Sequence, residues 1–120
     1  PNVVGVDLVD IDPAMTKLAR EHPWLRDLNR DALADKRVNV FHEDAFIYIE
    51  KPKSQYDVVI LDFPDPGNFA IGKLYSDMFF HRLKRVLAPG AVAVTQSTSP
   101  FVARTAFWCI HNTVESQGYK

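Results

Sequence analysis

The sequence predicts an α/β domain, in which a mostly parallel sheet carries helices on both faces. Strand-like and helix-like segments alternate along the chain, which is the order expected of parallel strands joined by crossover helices. Residues 56–63 are nearly continuous in apolar side chains, as suits a central strand buried on both faces. With 120 residues and 47% hydrophobic content the chain suffices for one core, so we interpret residues 1–120 as a single domain.

The first half of the chain predicts two strands, each followed by helical sequence. The β-branched run at residues 3–11 predicts a strand, and Asp12 with Pro13 supplies the N-cap and first-turn proline of a helix at residues 13–21. Three further segments complete this half: an irregular stretch or short amphipathic helix at 22–36, a strand at 37–42 and a short helix at 45–49.

The second half begins with the apolar strand and a long connection. Residues 64–72 contain two prolines and two glycines, which predicts a loop longer than the usual strand-to-helix connection. Residues 73–87 predict a helix that Pro89 and Gly90 terminate, and residues 90–97 predict the next strand. Helical spacing predicts the residues on the core face of this helix: Tyr75, Phe79, Leu83 and Val86.

A last helix is predicted at residues 101–117. Apolar side chains at helical spacing define one of its faces: Ala103, Phe107, Ile110 and Val114. Gly118 follows directly and is predicted to cap the carboxyl end of the helix.

Composition excludes several classes of partner. A formal net charge of -1 provides no basic face, so we expect no nucleic-acid partner. The single cysteine, Cys109, fits a reducing compartment, and we expect a cytoplasmic location. No apolar run approaches about 18 residues, so we expect no membrane contact by this segment. The histidines lie on different predicted elements and indicate no metal site: His22, His42, His81 and His111.

Polar side chains lie at or just beyond the end of every predicted strand. They are Asp10 and Asp12, Glu43 and Asp44, Asp62 and Asp65, and Gln96 and Ser97. Ligands of open parallel sheets bind beyond the carboxyl ends of the strands, so these acceptors are expected at one rim. A rim dense in carboxylates repels phosphates and attracts cations, which favours a sulfonium or a polyamine over a dinucleotide.

Each acid has a structural and a functional interpretation. We interpret Asp12 as a helix cap. Asp10 can cap or can bind the ribose hydroxyls of an adenosyl cofactor, and Asp44 can serve a turn or an adenine amino group. Asp62 and Asp65 lie three residues apart on a turn that prolines stiffen. Asp65 can be a local turn acceptor, whereas Asp62 is placed to bind an ammonium group and accept its proton.

Together these motifs resemble the spermidine synthase family over nearly the whole chain. The matching segments are residues 9–13, 43–45, 56–66, 74–75 and 96–97. Residues 62–66 and 95–100 are similar to bacterial members that carry membrane-spanning segments upstream, which leaves membrane attachment of the parent protein open. The resemblance implies a Rossmann-like fold of the class I methyltransferase type.

The resemblance also implies an activity and a set of site residues. The activity is transfer of an aminopropyl group from decarboxylated S-adenosylmethionine to a polyamine such as putrescine, with release of methylthioadenosine. Asp62 is implied as the general base, with Asp65, Gln96 and Tyr75 on the polyamine side, although the spacing of Tyr75 equally suits the helix core. Cofactor contacts are implied for Asp10, Ile11, Asp44, Ala45, Ala70 and Leu74. No metal is required, because the sulfonium is already an activated leaving group. We expect a homo-oligomer.

The sequence departs from the family pattern at several points. Asp10 stands where glutamate is usual, so the shorter acid must reach the ribose directly or through water. Phe63 and Pro64 stand where serines are common, which changes the donors near the amine. The usual glycine-rich strand and turn, and the family's C-terminal part, are missing from the chain, so we interpret it as a partial catalytic domain.

The missing first strand would leave a gap in the sheet. In the family's strand order it lies between the strands that end at Asp10 and Asp62. Three arrangements are open: these two strands pair directly, a strand is borrowed from another molecule, or the strand belongs to a larger polypeptide.

Two other functions also stay open. An amine methyltransferase that uses S-adenosylmethionine itself would need the same fold and the same ribose acid. A non-catalytic binding or assembly domain could keep the fold without the cofactor loop. The presence of Asp62, Asp65 and Gln96 together favours an enzyme for the parent protein.

Overall fold

A computed structural model of the chain describes residues 2–51 and 54–120. It comprises two compact units, Pro1–Tyr48 and Ile49–Lys120. Each unit contains one pair of parallel strands together with helices, which confirms the predicted α/β class. The described strands form two two-stranded sheets, one in each unit.

In the first unit, strand β1 (Val6–Val9) pairs with strand β2 (Val38–Phe41). The strands are in register from Val6 opposite Val38 to Val9 opposite Phe41. The helices of this unit are α1 (Pro13–Glu21), α2 (Pro23–Leu28) and α3 (Ala45–Tyr48), and a 3₁₀ turn spans Ala32–Ala34. The predicted helix at 13–21 is thus confirmed, and α2 occupies part of the stretch at 22–36.

Local sequence explains the limits of α1. The Asp12 carboxylate accepts a hydrogen bond from the Ala14 backbone N–H at 2.8 Å, which confirms its predicted role as N-cap. Pro13 occupies the first helical position, where its missing N–H costs nothing. The helix ends at Glu21, and the next residue, His22, has the extended backbone that the following Pro23 favours.

In the second unit, strand β3 (Tyr56–Leu61) pairs with strand β4 (Leu87–Thr95). The register shifts between Tyr56 and Val58, next to Gly90, whose φ of 80° suits glycine. The helices are α4 (Phe69–Gly72), α5 (Asp77–Leu83) and α6 (Arg104–Ser116), and 3₁₀ turns flank α5 at Lys73–Tyr75 and Lys84–Val86.

The core of the second unit contains the predicted apolar face of residues 73–87. Its four members are all buried: Tyr75, Phe79, Leu83 and Val86. Phe80 and Ile110 are also buried, so α6 contributes to the same core. Gly118 follows α6 with a φ of 77°, and its N–H bonds the Glu115 carbonyl, as predicted for a glycine cap.

Several predicted boundaries in this unit are wrong. The strand predicted at 90–97 begins earlier, because Leu87 already pairs with Tyr56, and β4 therefore contains Pro89 and Gly90, which are predicted to lie between the helix and the strand.

The loop predicted at 64–72 is shorter, because the Asn68 side chain accepts a hydrogen bond from the Ile71 N–H and starts α4 at Phe69. The helix predicted at 73–87 is not continuous. Ser76 has extended backbone, and its side chain caps α5 by accepting a hydrogen bond from the Phe79 N–H. The helical conformation is therefore interrupted at Ser76, between the 3₁₀ turn and α5.

The expectation that β3 is central and buried on both faces is also wrong for the chain as described. Leu61 is buried, but Val58 and Ile60 on the opposite face are 60% and 74% exposed. Their neighbours Val92 and Val94 on β4 are exposed as well. The physical reason is that, within the second unit, β3 pairs with β4 alone and the described helices of that unit leave this face uncovered.

None of the described helices combines the length and the apolar composition that a bilayer crossing requires. The longest of them, α6, has 13 residues, whereas a membrane-spanning helix needs about 20 apolar ones. Surface contact with a membrane is a separate matter, and its absence stays a prediction.

Candidate functional site

The second unit brings together the residues predicted for the polyamine side. Strands β3 and β4 are parallel, with Leu61 opposite Thr95, so the chain leaves both strands at the same edge. The Gln96 N–H donates to the Leu61 carbonyl at 2.8 Å, which extends the ladder to the last strand residues. Asp62 and Gln96 therefore begin the two connections that leave this carboxyl edge.

Hydrogen bonds join three of the predicted residues into one network. The Tyr75 hydroxyl lies 3.2 Å from Gln96 Oε1, and Gln96 Nε2 lies 3.3 Å from Asp65 Oδ1. A hydroxyl can donate to the amide oxygen while the amide nitrogen donates to the carboxylate, so both partners favour the same orientation of the amide. Asp65, Gln96 and Tyr75 thus constrain one another.

Tyr75 also anchors the turn that carries the two acids. Its ring is 6% exposed, and its hydroxyl lies 3.1 Å from the Phe63 carbonyl and 3.2 Å from the Pro64 carbonyl. One hydroxyl proton is shared among these carbonyls and Gln96. The Phe63 ring packs edge-to-face on Tyr75 and on Phe79, with centroid distances of 6.1 and 5.5 Å. The turn between Asp62 and Asp65 is therefore attached to the core.

This anchoring role was not predicted from the sequence. In the sequence, Phe63 stands out only as a departure from the serines that are common in the family. A signal was available, because a tyrosine on the core face of a helix needs a partner for its hydroxyl. The sequence does not reveal which carbonyl supplies it.

Asp62 differs from Asp65 in having no hydrogen-bond partner within residues 2–51 and 54–120. Its side chain is exposed, at the first position after β3. An exposed carboxylate with unoccupied acceptor positions can bind an ammonium group and take up its proton. The structure therefore gives Asp62 the accessibility that a general base requires.

Burial and negative charge act on the Tyr75 phenol. Burial raises the pKa of Tyr75 above its ordinary value of 10.0, and the charges of Asp65 and Asp62 raise it further. Burial also raises the pKa of Tyr119 to about 12. The fold therefore moves the ionisation of both phenols to higher pH.

Alkaline titration should reveal these two phenols. Their folded pKa lies above the unfolded value of 10.0, so their contribution to stability is present below that pH and is lost as the pH rises through the folded pKa. We expect phenolate absorbance of the folded protein to include a late component that Tyr119→Phe and Tyr75→Phe each reduce. If both variants titrate like the unmodified protein, with every phenol ionising near pH 10.0, the burial described here would be wrong.

The residues predicted to cover the cofactor from this unit follow the same turn. Ala70 lies in α4 with an exposed side chain, and Leu74 lies half-buried in the next 3₁₀ turn. Both belong to the connection between β3 and α5, as predicted. Their contact with a cofactor stays a prediction.

The first unit holds the other predicted cofactor residues at the carboxyl edge of its own strand pair. Asp10 follows β1, and its N–H donates to the Phe41 carbonyl at 3.0 Å. Asp10 Oδ1 accepts from the Asp12 N–H at 2.8 Å, while its second carboxylate oxygen has no hydrogen-bond partner in the described part of the chain. The adjacent Ile11 is 69% exposed. Asp10 and Ile11 thus place a hydrogen-bond acceptor next to an exposed apolar side chain.

Asp44 is the third residue after β2. Its Oδ1 accepts from the Phe46 N–H at 2.9 Å, and its carbonyl accepts from the N–H groups of Ile47 and Tyr48. Of the two roles that the sequence leaves open for Asp44, the structure therefore shows the turn role, in which its side chain starts a helix. Ala45 is the first residue of that helix, α3. An adenine contact by these two residues stays a prediction.

Metal sites and surface grooves do not point to a different location for the chemistry. Within the described ranges, no group of three histidine, cysteine, aspartate or glutamate side chains is arranged to hold a metal ion. Two open grooves lie along α1 and α2 in the first unit. Neither groove is lined by any of the predicted site residues, so we place the chemistry at the strand ends.

Comparison with known proteins identifies relatives for nearly the whole chain. The family model described as the spermine/spermidine synthase domain matches residues 1–118. A polyamine aminopropyltransferase of Leptospira interrogans is 48% identical over 118 residues, which is 98% of this chain and 24% of the relative. Polyamine aminopropyltransferase 1 of Streptomyces coelicolor is 48% identical over 114 residues, covering 95% of this chain and 22% of the relative.

A shorter relative gives the same result. Polyamine aminopropyltransferase 2 of Bacillus cereus is 43% identical over 116 residues, covering 97% of this chain and 32% of the relative. The chain thus spans between about a fifth and a third of the length of the curated relatives it matches. On the match over residues 1–118, the chain belongs to the spermine/spermidine synthase family.

Proposed function

We propose that the protein containing this chain transfers an aminopropyl group from decarboxylated S-adenosylmethionine to a polyamine such as putrescine and releases methylthioadenosine. The observation that carries this proposal is the strand edge of the second unit, where Asp62 is exposed and Asp65 is held by Gln96. This edge offers carboxylate acceptors to a cationic amine. The names of the relatives support aminopropyl transfer, and the choice of cofactor and amine is our proposal.

In the proposed reaction Asp62 is the general base. The amine nitrogen attacks the aminopropyl carbon that is bonded to the positive sulfur. A carbon–nitrogen bond forms, the carbon–sulfur bond breaks with its electron pair going to sulfur, and the nitrogen loses a proton to the Asp62 carboxylate. Sulfur becomes a neutral thioether, so no metal is needed to stabilise the leaving group.

The polyamine side is assigned to the network around Asp65. We propose that Asp65 binds an ammonium group of the substrate through the carboxylate that Gln96 already holds. Gln96 and Tyr75 then contribute by fixing this carboxylate. The Tyr75 hydroxyl acts through Gln96, because its ring is buried and its hydroxyl is engaged with backbone carbonyls.

The cofactor side is assigned to residues at the strand ends of the first unit and on the connection after β3. Asp10 is proposed to bind the ribose hydroxyls through its available carboxylate oxygen, with Ile11 near the adenine. Asp44 is proposed to accept from the adenine amino group. The remaining contacts are apolar and are assigned to Ala45, Ala70 and Leu74.

The finer features of the fold are proposed on the same grounds. We infer that the parent protein completes a Rossmann-like sheet of the class I methyltransferase type, with a glycine-rich turn contributed from outside this chain. The exposed face of Val58 and Ile60 is consistent with a strand pair that is incomplete by itself. We also propose that the chain belongs to a single catalytic domain, that this catalytic part is cytoplasmic and that the parent protein forms a homo-oligomer.

The proposal is tested by amine-dependent release of methylthioadenosine from the full-length protein. Decarboxylated S-adenosylmethionine is supplied with putrescine or with spermidine, and ordinary S-adenosylmethionine serves as the matched cofactor control. We expect methylthioadenosine only when the decarboxylated cofactor and an amine are both present. Release of S-adenosylhomocysteine from the ordinary cofactor would instead indicate an amine methyltransferase, and no product from either cofactor would contradict catalysis.

A further inference from the structure

We propose that Tyr48 and Asp7 form a positioning pair for the cofactor side of the site. The pair holds α3, the helix that begins directly after Asp44. This inference rests on the proposed function, because it assumes that Asp44 and Ala45 contact the adenine. Neither Tyr48 nor Asp7 is expected to contact a ligand itself.

Helix α3 requires a tether because it is very short. It has four residues, and an isolated helix of one turn is not stable in water. At the start of α3, the Asp44 side chain caps the helix by accepting a hydrogen bond from the Phe46 N–H at 2.9 Å. At its other end, the Tyr48 hydroxyl donates to Asp7 Oδ2 at 2.8 Å. The two ends of α3 are thus held by Asp44 and by the Tyr48–Asp7 hydrogen bond.

The acceptor of this hydrogen bond is itself fixed within the strand pair. Asp7 lies in β1 opposite Asn39 of β2, and Asn39 Nδ2 donates to Asp7 Oδ1 at 2.9 Å. Both carboxylate oxygens therefore accept hydrogen bonds from neighbouring side chains. Hydrogen bonds to an ionised carboxylate are stronger than those between neutral groups, so this acceptor is a firm attachment point.

The Tyr48 ring adds a second contact to the sheet. Its centroid lies 5.2 Å from that of Phe41, the last residue of β2, with the ring planes tilted by 52°. Through Asp7 and Phe41, Tyr48 contacts both strands of the pair. A displacement of Tyr48 would therefore move α3 relative to the strands, and Asp44 and Ala45 would move with it.

This arrangement predicts an effect on cofactor affinity and not on the chemical step. Asp44 directly precedes α3 and Ala45 is its first residue, whereas Asp62 lies on the connection after β3 in the other unit. Loss of the Tyr48 hydroxyl should therefore weaken adenine binding and leave proton transfer unchanged. A raised cofactor KM with an unchanged kcat distinguishes this positioning role from a general loss of structure.

The test is the Tyr48→Phe variant of the full-length protein. We expect KM for decarboxylated S-adenosylmethionine to rise about tenfold, with kcat and the KM for putrescine changed less than about twofold. The Asp7→Asn side chain keeps one acceptor oxygen for two donors, Tyr48 and Asn39. We therefore expect a smaller rise in the KM for decarboxylated S-adenosylmethionine. This second variant keeps the test decisive if Tyr48→Phe fails to fold.

Tyr119→Phe is the matched control, because it also removes one tyrosine hydroxyl that is hydrogen-bonded, here to the Phe80 carbonyl at 2.8 Å. It should leave the cofactor KM unchanged. If Tyr48→Phe or Asp7→Asn matches this control, or lowers kcat without raising the cofactor KM, the positioning role is wrong. Absence of aminopropyl transfer by the unmodified protein would instead contradict the proposed function, so the two failures are distinguishable.

Discussion

Replacing Asp62 with asparagine is expected to lower kcat by about 10²- to 10⁴-fold, the usual contribution of a general base. Asparagine keeps the size and the carbonyl oxygen of the side chain but cannot take up the proton of the attacking amine. Asp62 has no hydrogen-bond partner among the described residues, so its replacement should not disturb the fold. Steady-state kinetics with decarboxylated S-adenosylmethionine and putrescine would measure the effect, and the cofactor KM should change little.

Asp57→Asn provides the control for this variant. Asp57 is an exposed carboxylate on the same strand, β3, and has no assigned role in the site. We expect it to keep nearly full activity. Retained turnover in Asp62→Asn would assign the base to another residue, and an equal loss in both variants would indicate a general effect of charge.

Replacing Phe79 with alanine is expected to reduce the free energy of unfolding by about 3–5 kcal/mol. The Phe79 side chain is 0% exposed, and its ring packs edge-to-face on Phe63 and on Phe80. Alanine would leave a cavity beneath the turn that carries Asp62 and Asp65. Urea unfolding of the full-length variant would measure the loss.

Phe101→Ala is the matched control, because the same atoms are removed from a ring that is 91% exposed. Its effect on the free energy of unfolding should be within about 0.5 kcal/mol. Similar losses for the two variants would mean that the core of the second unit is not where the structure places it.

The elements with local signals were predictable from the sequence. Asp12 and Pro13 specify the start of α1 through the cap and the proline position, so its predicted bounds agree with the structure. The spacing of Tyr75, Phe79 and Leu83 likewise predicts which side chains are buried. In these cases the determining interactions lie within a few residues of one another.

The wrong boundaries arose where one local signal concealed another. The prolines and glycines of residues 64–72 predicted a loop, but Asn68 caps a short helix within it. Helical spacing continued through Ser76, although its side chain caps a new helix at that point. A capping hydrogen bond needs a specific backbone geometry, which periodicity of apolar residues does not report.

The sequence predicts which candidate residues lie at the strand ends but not the hydrogen bonds that connect them. Strand ends identified Asp62, Asp65 and Gln96 as neighbours at one edge. The hydrogen bonds from Tyr75 to the Phe63 and Pro64 carbonyls depend on how the helix packs on the turn. The bond from Tyr48 to Asp7 joins residues 41 positions apart. Such contacts are set by tertiary packing, for which a single sequence contains little signal.

In the proposed reaction the aminopropyl chain, and not the methyl group, is transferred to the amine. The most direct measurement supplies the full-length protein with putrescine and decarboxylated S-adenosylmethionine, isotopically labelled in one preparation in the propyl chain and in another in the methyl group. We predict that the propyl label appears in the polyamine product and that the methyl label stays in methylthioadenosine, as analysed by mass spectrometry. Methyl label in the polyamine, with the propyl label left on the sulfur product, would contradict the assignment.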